Sequence, residues 1–556
     1  MIKITGVHWT LIVLIIGSGI GVLEAAEDRF PLSIIHINDF HAKYEPTDTS
    51  GGICDESEEC IGGYARTVYT VKRLLEQQKD LNPIYINAGD SFQGTLWYNI
   101  GRWNVTQQFL NMLPAEAMTL GNHEFDHGVE GVVPFLKTVE TSMLVANMDC
   151  AHEPLMEGLY KKSEIIERSG RKIGLIGVIL ETTYDLANTG KLIFRNESDA
   201  IREEAALLKN QGANIIIVIS HCGYEVDKTI ARVAGDVVDV IVGSHSHTFL
   251  YTGDKAPGPD KPKGDYPTQV IHSSGHRVLI VQAGAYAKYV GNLTVYFNAQ
   301  GDVVDFEGAP LYMSADVPED GNVLLALKPW QIELEEQSNR IVAKSRVPLQ
   351  QSECSRGECN LGNLYTDAMI HAFVKDASPI SPNWSNVTIA LTSQGNFRVP
   401  IPAGEVSYKQ LVAMCPWENR LYALNLRGEH LWQLLEDSVG SMNATLSLPT
   451  SKSFLQVSGL RIVYNLKSEP GQRIVSLKAR CAHCQVPEYK PLQLDQDYRL
   501  VVMEYLANGK NGFALISDHA KDLELGPFDL DALMDYMSVI APITVGLEQR
   551  IQFVNT

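Results

Sequence analysis

The chain has 556 residues, 45% of them hydrophobic and 20% charged, which is enough for two or three domains and shows no compositional sign of gross disorder. The formal net charge of -20 argues against a nucleic-acid partner, because an acidic surface repels a polyanion. A small phosphate substrate is not excluded, since bound metal ions would dominate the field around it.

The N-terminus has the features of a secretory signal peptide. Lys3 gives a basic start, an apolar run over 11–16 follows, and Ala25-Ala26 offers a cleavage site. The run is short for a membrane span and acidic residues follow it, so we predict a cleaved signal peptide over 1–26 and not an uncleaved anchor. No hydrophobic tail closes the sequence, so we expect a secreted, extracellular protein without a stable membrane anchor.

Cysteine spacing fits an oxidising compartment. Three local pairs can each close a small loop, namely Cys54 with Cys60, Cys354 with Cys359, and Cys481 with Cys484. The last pair could instead be half of a zinc site, but no second pair of that kind occurs, so a disulfide is favoured. Cys150, Cys222 and Cys415 remain, an odd number that leaves at least one thiol free or paired between chains. Six sequons suit a glycosylated protein and lie at Asn104, Asn196, Asn292, Asn383, Asn386 and Asn443.

Residues from about 30 to 310 alternate short apolar runs with longer amphipathic stretches, which predicts an α/β layered domain. The predicted strands are 32–37, 84–87, 173–179, 215–220 and 237–242. A connector helix is predicted over 318–345, with Pro329 kinking or starting it. Beyond it, helices are predicted at 361–374 and 428–437, and strands at 474–479 and 499–503.

Candidate metal ligands stand where these and similar apolar runs end. Asp39 and His41 are two positions apart, which places them on one side of an extended chain. Because strand ends at one edge of a layered α/β fold face the same crevice, we expect all such residues to meet. The full set is Asp39, His41, Asp90, Asn122, His221, His245 and His247.

Seven groups are too many for one tetrahedral ion and suit two divalent metal ions bridged by a carboxylate. Nitrogen and oxygen ligands without thiolates suit Zn, Mn, Fe or Co, and Ca or Mg is not distinguished from these. Beside a ligand, His123 either assists the phosphoryl oxygens or the leaving group, or only donates a hydrogen bond. Asp126 is close enough to orient its imidazole if a helix starts here, and His127 is given no role.

At these positions the sequence resembles the metallophosphoesterase superfamily, and more closely the 5′-nucleotidase/apyrase family and its secreted arthropod salivary-type apyrases. The matching motifs are IHINDFH at 35–41, NAGDSFQG at 87–94, GNHEFD at 121–126, SHCG at 220–223, GSHSHT at 243–248, ECNLGN at 358–363 and LANG at 506–509. The resemblance implies an α/β (α+β) fold. It places a four-layer catalytic domain over 27–317, the connector over 318–345 and a C-terminal α/β nucleotide-binding domain over 346–556.

The resemblance also implies roles for the residues that match. Asp39, His41 and His247 would bind one metal, Asp90 would bridge, Asn122, His221 and His245 would bind the other metal, and His123 with Asp126 would form the catalytic dyad. Relatives carry Gln or Asn at the position of His247. Trp417 and Tyr505 would clamp the nucleotide base, and Arg398 would meet phosphate or ribose oxygens.

The chain departs from the mammalian-type pattern where the nucleotide is held. Ser393 replaces an Asn that contacts the base, and Asn511 replaces a ribose-binding Asp. Ser355 replaces an Arg of a small disulfide loop, and the adjacent Arg356 is the candidate substitute. These changes favour an apyrase that removes the terminal phosphate of ATP and ADP and thereby inhibits ADP-driven platelet aggregation.

Two alternatives remain open. The first is a soluble 5′-nucleotidase directed at AMP, which the same family contains. The second is a platelet-adhesion inhibitor that binds integrin through Lys263-Gly264-Asp265, which lies in a loop rich in Pro and Gly.

Overall fold

The computed structural model describes residues 29–52, 54, 59–375, 384–415, 419–442, 451, 453–509 and 512–554. They form an N-terminal and a C-terminal domain. The predicted signal peptide over 1–26, Trp417, Asn511, and the sequons at Asn383 and Asn443 lie outside these residues. Of the other sequons, Asn104, Asn196 and Asn386 are exposed and Asn292 is half-buried.

The N-terminal domain has four layers, two stacked sheets covered on both outer faces by helices. Its strands are β1 (Phe30–Ile37), β2 (Ile84–Asn87), β3 (Ala117–Met118), β4 (Ser142–Met143), β5 (Met148–Asp149), β6 (Ser163–Arg168), β7 (Arg171–Ile179), β8 (Ile193–Phe194), β9 (Ile215–His221), β10 (Val240–Val242), β11 (Thr268–Ile271), β12 (Arg277–Val281), β13 (Tyr289–Phe297), β14 (Val303–Gly308) and β15 (Leu311–Tyr312). Its helices are α1 (Tyr64–Gln77), α2 (Leu96–Leu110), α3 (Gly128–Thr138), α4 (Glu197–Asn210) and α5 (Tyr224–Val233). The first sheet has the order β14-β13-β1-β2-β3-β4 with β15 beside β13, the second has the order β11-β12-β10-β9-β7-β6, and β5 pairs with β8.

Strand β1 shows why the layers stack. Leu32 and Ile34 lie in the core shared by the two sheets, α4 and α5, whereas Ile35 and Ile37 lie in the core beneath α1, α2 and α3. Successive side chains of a strand point to opposite faces, so an apolar run without alternation requires a sheet covered on both sides. Strands β1, β2 and β3 are parallel, as are β7, β9 and β10, which brings their carboxyl ends to one edge.

The connector is shorter than predicted. Helix α6 (Gly321–Ser338) is capped by Asp320, whose side chain accepts two N–H groups of the first turn. Pro329 lies inside the helix and does not start it. The predicted helix over 318–345 is wrong at its C-terminal end, because β16 (Ile341–Ser345) is an extended strand paired with the C-terminal domain.

The C-terminal domain is built on a five-stranded sheet with a hydrophobic core on each face. Its remaining strands are β17 (Ile389–Ser393), β18 (Gly404–Ser407), β19 (Arg420–Arg427), β20 (Leu455–Ser458), β21 (Leu460–Tyr464), β22 (Ile474–Arg480), β23 (Tyr489–Pro491), β24 (Asp497–Met503), β25 (Lys521–Phe528) and β26 (Ile551–Phe553). Its helices are α7 (Asn360–Val374), α8 (Tyr408–Met414), α9 (Gly428–Gly440), α10 (Glu504–Ala507), α11 (Ala514–His519) and α12 (Asp529–Ile540). The sheets have the orders β20-β17-β24-β19-β25, β23-β22-β21-β26 and β16-β18.

The three predicted disulfides, Cys54–Cys60, Cys354–Cys359 and Cys481–Cys484, are present, so the last pair is not half of a zinc site. The other three cysteines carry free thiols. None of the helices in the described ranges combines the length and apolar character needed to cross a lipid bilayer.

A buried acid in the C-terminal domain should make stability depend on pH. Burial raises the pKa of Asp529 to about 6, although the Tyr365 hydroxyl donates to it at 2.5 Å and favours its charged form. Because the pKa of Asp529 is higher in the folded protein than the ordinary 3.8, the protonated carboxyl stabilises the fold. This contribution is full below about pH 4 and is lost as the pH rises through about 6. We expect the free energy of unfolding to lose up to about 3 kcal/mol over this window, and less in Asp529→Asn.

Urea unfolding at several pH values between about 4 and 7 measures this effect. Asp518→Asn, which changes an exposed carboxyl, is the matched control and should follow the native protein. An Asp529→Asn variant with the native pH dependence would remove Asp529 as its source.

Candidate metal centre

Five strands from both sheets deliver polar side chains to one cleft. Asp39 and His41 follow β1, Asp90 follows β2, and Asn122 follows β3. His245 and His247 follow β10, and His221 is the last residue of β9. The structure thus brings together all seven residues predicted as ligands.

The first group of ligand atoms comes from Asp39, His41, Asp90 and His247, and all of them lie within 4.8 Å of one another. His41 Nε2 is 3.0 Å from His247 Nε2 and 3.8 Å from Asp90 Oδ2. Asp39 Oδ1 is 3.5 Å from His247 Nε2. Two carboxylates and two imidazoles at this spacing fit one divalent cation.

The second group comes from Asp90, His221 and His245, again within 4.8 Å. His221 Nε2 is fully buried and lies 3.1 Å from Asp90 Oδ2, so the two atoms are close enough to bind one ion. Asn122 Oδ1 is 2.9 Å from His245 Nδ1 and extends this group. Since Asp90 belongs to both groups, its carboxylate is placed to bridge two cations.

Backbone strain is concentrated at these residues. Asp39, His41, Asp90, His245 and His247 all have positive φ, between 49° and 69°. Residues other than glycine are uncommon in this left-handed region, and clusters of them mark functional sites. Residue type alone does not predict this strain.

Neighbouring groups fix the orientation of Asp39. Its Oδ2 accepts hydrogen bonds from Asn38 Nδ2 at 2.7 Å and Ser244 Oγ at 2.9 Å, and its Oδ1 accepts from the N–H of His245 at 3.0 Å. Gly121 is required by space, because a Cβ there would overlap Asp90 Oδ1. Asn38, Ser244 and Gly121, which flank candidate ligands in the sequence, therefore also fix the orientation of those side chains.

Burial keeps most of the imidazoles neutral and able to bind a cation. Burial lowers the pKa of His41 and, with help from the charge of His221, lowers the pKa of His245 to about 3. Burial also disfavours the charged form of His221, but Asp90 outweighs it and raises the His221 pKa to about 9. A cation would take the place of that proton beside Asp90.

His123 and Asp126 form a close pair at the edge of the cleft. A short 3-10 turn over His123–Phe125 brings His123 Nδ1 within 2.7 Å of the buried Asp126 Oδ2. Although burial opposes the charge, Asp126 and then Asp90 raise the pKa of His123 well above its usual range. The His123 ring is 5.1 Å from the His41 ring, which places this imidazole beside the candidate ligands.

Two residues lie where the domains meet: Glu504, which the sequence analysis did not identify, and His127, to which it gave no role. Burial raises the pKa of Glu504 to about 7, and the nearby charges of His123 and Asp126 act on its carboxyl. His127 stacks on Tyr98, with its ring 5.4 Å from that of Phe528 in the C-terminal domain. The C-terminal domain therefore meets the segment that carries His123. The only sequence signal was that Glu504 directly precedes a predicted base-clamp residue.

The other predicted nucleotide contacts lie in the C-terminal domain. Ser393 is buried at the end of β17, and Arg398, five residues on, is exposed. Arg356 is half-buried in the loop closed by Cys354–Cys359 and pairs with Glu353 at 3.5 Å. Tyr505 is 47% exposed, as a ring available for stacking must be.

The Lys263-Gly264-Asp265 tripeptide does not form the tip of a loop. The Lys263 N–H donates to the Phe249 carbonyl at 2.9 Å, and the Tyr251 N–H donates to the Gly264 carbonyl at 3.0 Å. The segment therefore lies flat against its neighbour, which does not favour insertion into a receptor groove.

Known proteins match the chain over both domains. Residues 32–249 match the family described as calcineurin-like phosphoesterase, and residues 341–518 match the 5′-nucleotidase, C-terminal domain. An apyrase of Tabanus yao is 45% identical over 95% of this chain and 94% of its own length. A 5′-nucleotidase of Bos taurus is 35% identical over 96% and 92%. The crystal structure of a 5′-nucleotidase precursor from Thermus thermophilus is 33% identical, with a TM-score of 0.63, over 95% of this chain and 100% of that one.

Proposed function

The chain belongs to the 5′-nucleotidase/apyrase family of metallophosphoesterases and is a metal-dependent nucleotide phosphohydrolase, and from this premise we propose that it is a secreted apyrase. It would remove the terminal phosphate from extracellular ATP and ADP. The observation that carries the proposal is the pair of ligand groups that share Asp90, in a chain 45% identical to an apyrase.

We assign two divalent cations to these groups. Asp39, His41 and His247 would hold one, Asn122, His221 and His245 the other, and Asp90 both. When bound, the ions polarise the phosphoryl oxygens and lower the pKa of the attacking water. His123 donates a proton or hydrogen bond to the leaving oxygen, and Asp126 orients its imidazole.

The C-terminal domain would bind the rest of the nucleotide. Trp417 and Tyr505 stack on the base, and Arg356 and Arg398 attract its anionic part. Ser393 and Asn511 stand where the AMP-directed pattern has an Asn and an Asp. Ser393 is shorter than Asn, and Asn511 lacks the charge of Asp, so both would hold the nucleoside less tightly. This favours a substrate that is bound mainly through its phosphates.

Phosphate release from ATP, ADP and AMP by the full chain, with a divalent cation present, tests the proposal. We expect ATP and ADP to be cleaved and AMP to be a poor substrate. AMP as the best substrate would instead support the soluble 5′-nucleotidase alternative, which the Bos taurus relative represents. An apyrase would also remove ADP from a platelet suspension and so inhibit ADP-driven aggregation.

Removing the exposed ring of Tyr505 should weaken nucleotide binding. Stacking of a base on an aromatic ring contributes about 1–3 kcal/mol, so we expect Tyr505→Ala to raise KM for ADP by roughly 5- to 150-fold with a smaller change in kcat. Steady-state kinetics measure both constants. Tyr184→Ala, which removes another exposed tyrosine, is the control. An unchanged KM would show that Tyr505 does not contact the base.

A further inference from the structure

Glu124 lies between the dyad residues His123 and Asp126 and has no exposed surface. Its carboxylate accepts four backbone N–H groups. Oε2 accepts from Asp90 at 3.1 Å and Gly121 at 2.6 Å, and Oε1 accepts from Ser91 at 2.7 Å and Phe92 at 3.2 Å. One side chain thus joins the segment after β2 to the segment after β3.

The four donors match the acceptor capacity of a carboxylate, which no amide or hydroxyl side chain has. Its two oxygens have about four acceptor directions, and all of them are used here. A glutamine of the same shape keeps one accepting oxygen and turns an NH2 group toward two N–H donors. The NH2 group and the two backbone N–H groups would then face each other without an acceptor. A buried donor without a partner costs its full desolvation free energy.

These hydrogen bonds bear on the segment that carries the shared ligand. Asp90 has a φ of 53°, so its backbone is strained, and two of the four donors directly follow it. The Asp90 Oδ1 in turn accepts the N–H of His123 at 3.0 Å. Glu124 thus holds the backbone of Asp90 and of the segment that contains His123. Holding both segments fixes the direction in which the Asp90 carboxylate points.

We propose that Glu124 is a positioning residue that holds Asp90 and the Asn122–His123 segment in metal-binding geometry before any metal binds. The inference rests on the proposed function only in taking Asp90 and Asn122 as metal ligands. It does not depend on which nucleotide is hydrolysed.

Glu124→Gln is the test, with Co²⁺ binding to the purified full-length chain measured by calorimetry. Loss of a group that orients metal ligands costs about 10–100-fold in metal affinity, which is the expected result. Saturating Co²⁺ should restore most of kcat, a split that a general loss of folded protein would not give. Glu130→Gln, at an exposed carboxyl in the first turn of α3, should bind Co²⁺ like the native protein. Native Co²⁺ affinity in Glu124→Gln would overturn the proposal.

Hydrogen exchange decides the matter if Glu124→Gln does not fold. In the native protein without metal, the amides of Ser91, Phe92 and Gly121 should exchange slowly, because their partner is already in place. Exchange as fast as in an exposed loop would overturn the proposal. A native chain that binds two Co²⁺ ions but hydrolyses no nucleotide would refute the proposed function and leave the role of Glu124 intact.

Discussion

Asp90→Asn is expected to lower kcat/KM for ATP and ADP by at least about a thousandfold, or roughly 4 kcal/mol of transition-state stabilisation. Asp90 is the residue common to both ligand groups, with Oδ2 3.1 Å from His221 Nε2 and 3.8 Å from His41 Nε2. The substitution removes the negative charge that would bridge two cations while keeping nearly the same shape. Both sites should therefore weaken together.

Steady-state phosphate release with the metal concentration varied separates lost affinity from lost chemistry. Asp80→Asn, at an exposed carboxyl ten residues earlier, is the control and should retain native activity. If Asp90→Asn kept activity within about tenfold of the native protein, the bridging role would be wrong.

His123→Gln should lower kcat by about 10²–10⁴-fold with little change in KM, the usual range for a general acid. The imidazole is oriented by Asp126 at 2.7 Å, and that carboxylate with Asp90 raises the His123 pKa. Glutamine can donate a hydrogen bond but cannot transfer a proton. The loss should therefore be smaller for p-nitrophenyl phosphate, whose leaving group needs no proton, than for phenyl phosphate.

Parallel assays of the two aryl phosphates measure this difference. His152→Gln changes an exposed imidazole and serves as the control. An equal loss on both substrates would mean that His123 stabilises charge on the phosphoryl oxygens and does not protonate the leaving group.

The sequence predicts that the seven candidate ligands lie together because each of them closely follows or ends a buried parallel strand. Apolar runs locate the strands, and the topology of a layered α/β fold then requires their carboxyl ends to meet. His221 and His245 illustrate this, since His221 ends β9 and His245 follows the neighbouring β10, and both share one ligand group with Asp90 from the other sheet. The end of the connector helix was misjudged because pairing between strands distant in sequence decides where β16 starts.

Other features depend on tertiary contacts that no local pattern carries. The left-handed backbone of five candidate ligands reflects constraint by surrounding groups and has no signature in residue type. Glu504 reaches the dyad only because the two domains pack together, and its neighbour Tyr505 was the residue that the motif singled out. The four donors around Glu124 also come from two separate strand ends, so its role is invisible in the motif that contains it.

Metal reconstitution tests the central claim, a two-cation centre built around Asp90, most directly. The full-length protein is stripped with a chelator, and phosphate release from ADP is followed while Mn²⁺, Zn²⁺ or Co²⁺ is titrated back and the bound metal is counted. We predict no activity in the stripped protein, full recovery at two bound ions per chain, and no recovery in Asp90→Asn at the same metal concentration. Undiminished hydrolysis after stripping, or full recovery at one ion per chain, would contradict the account.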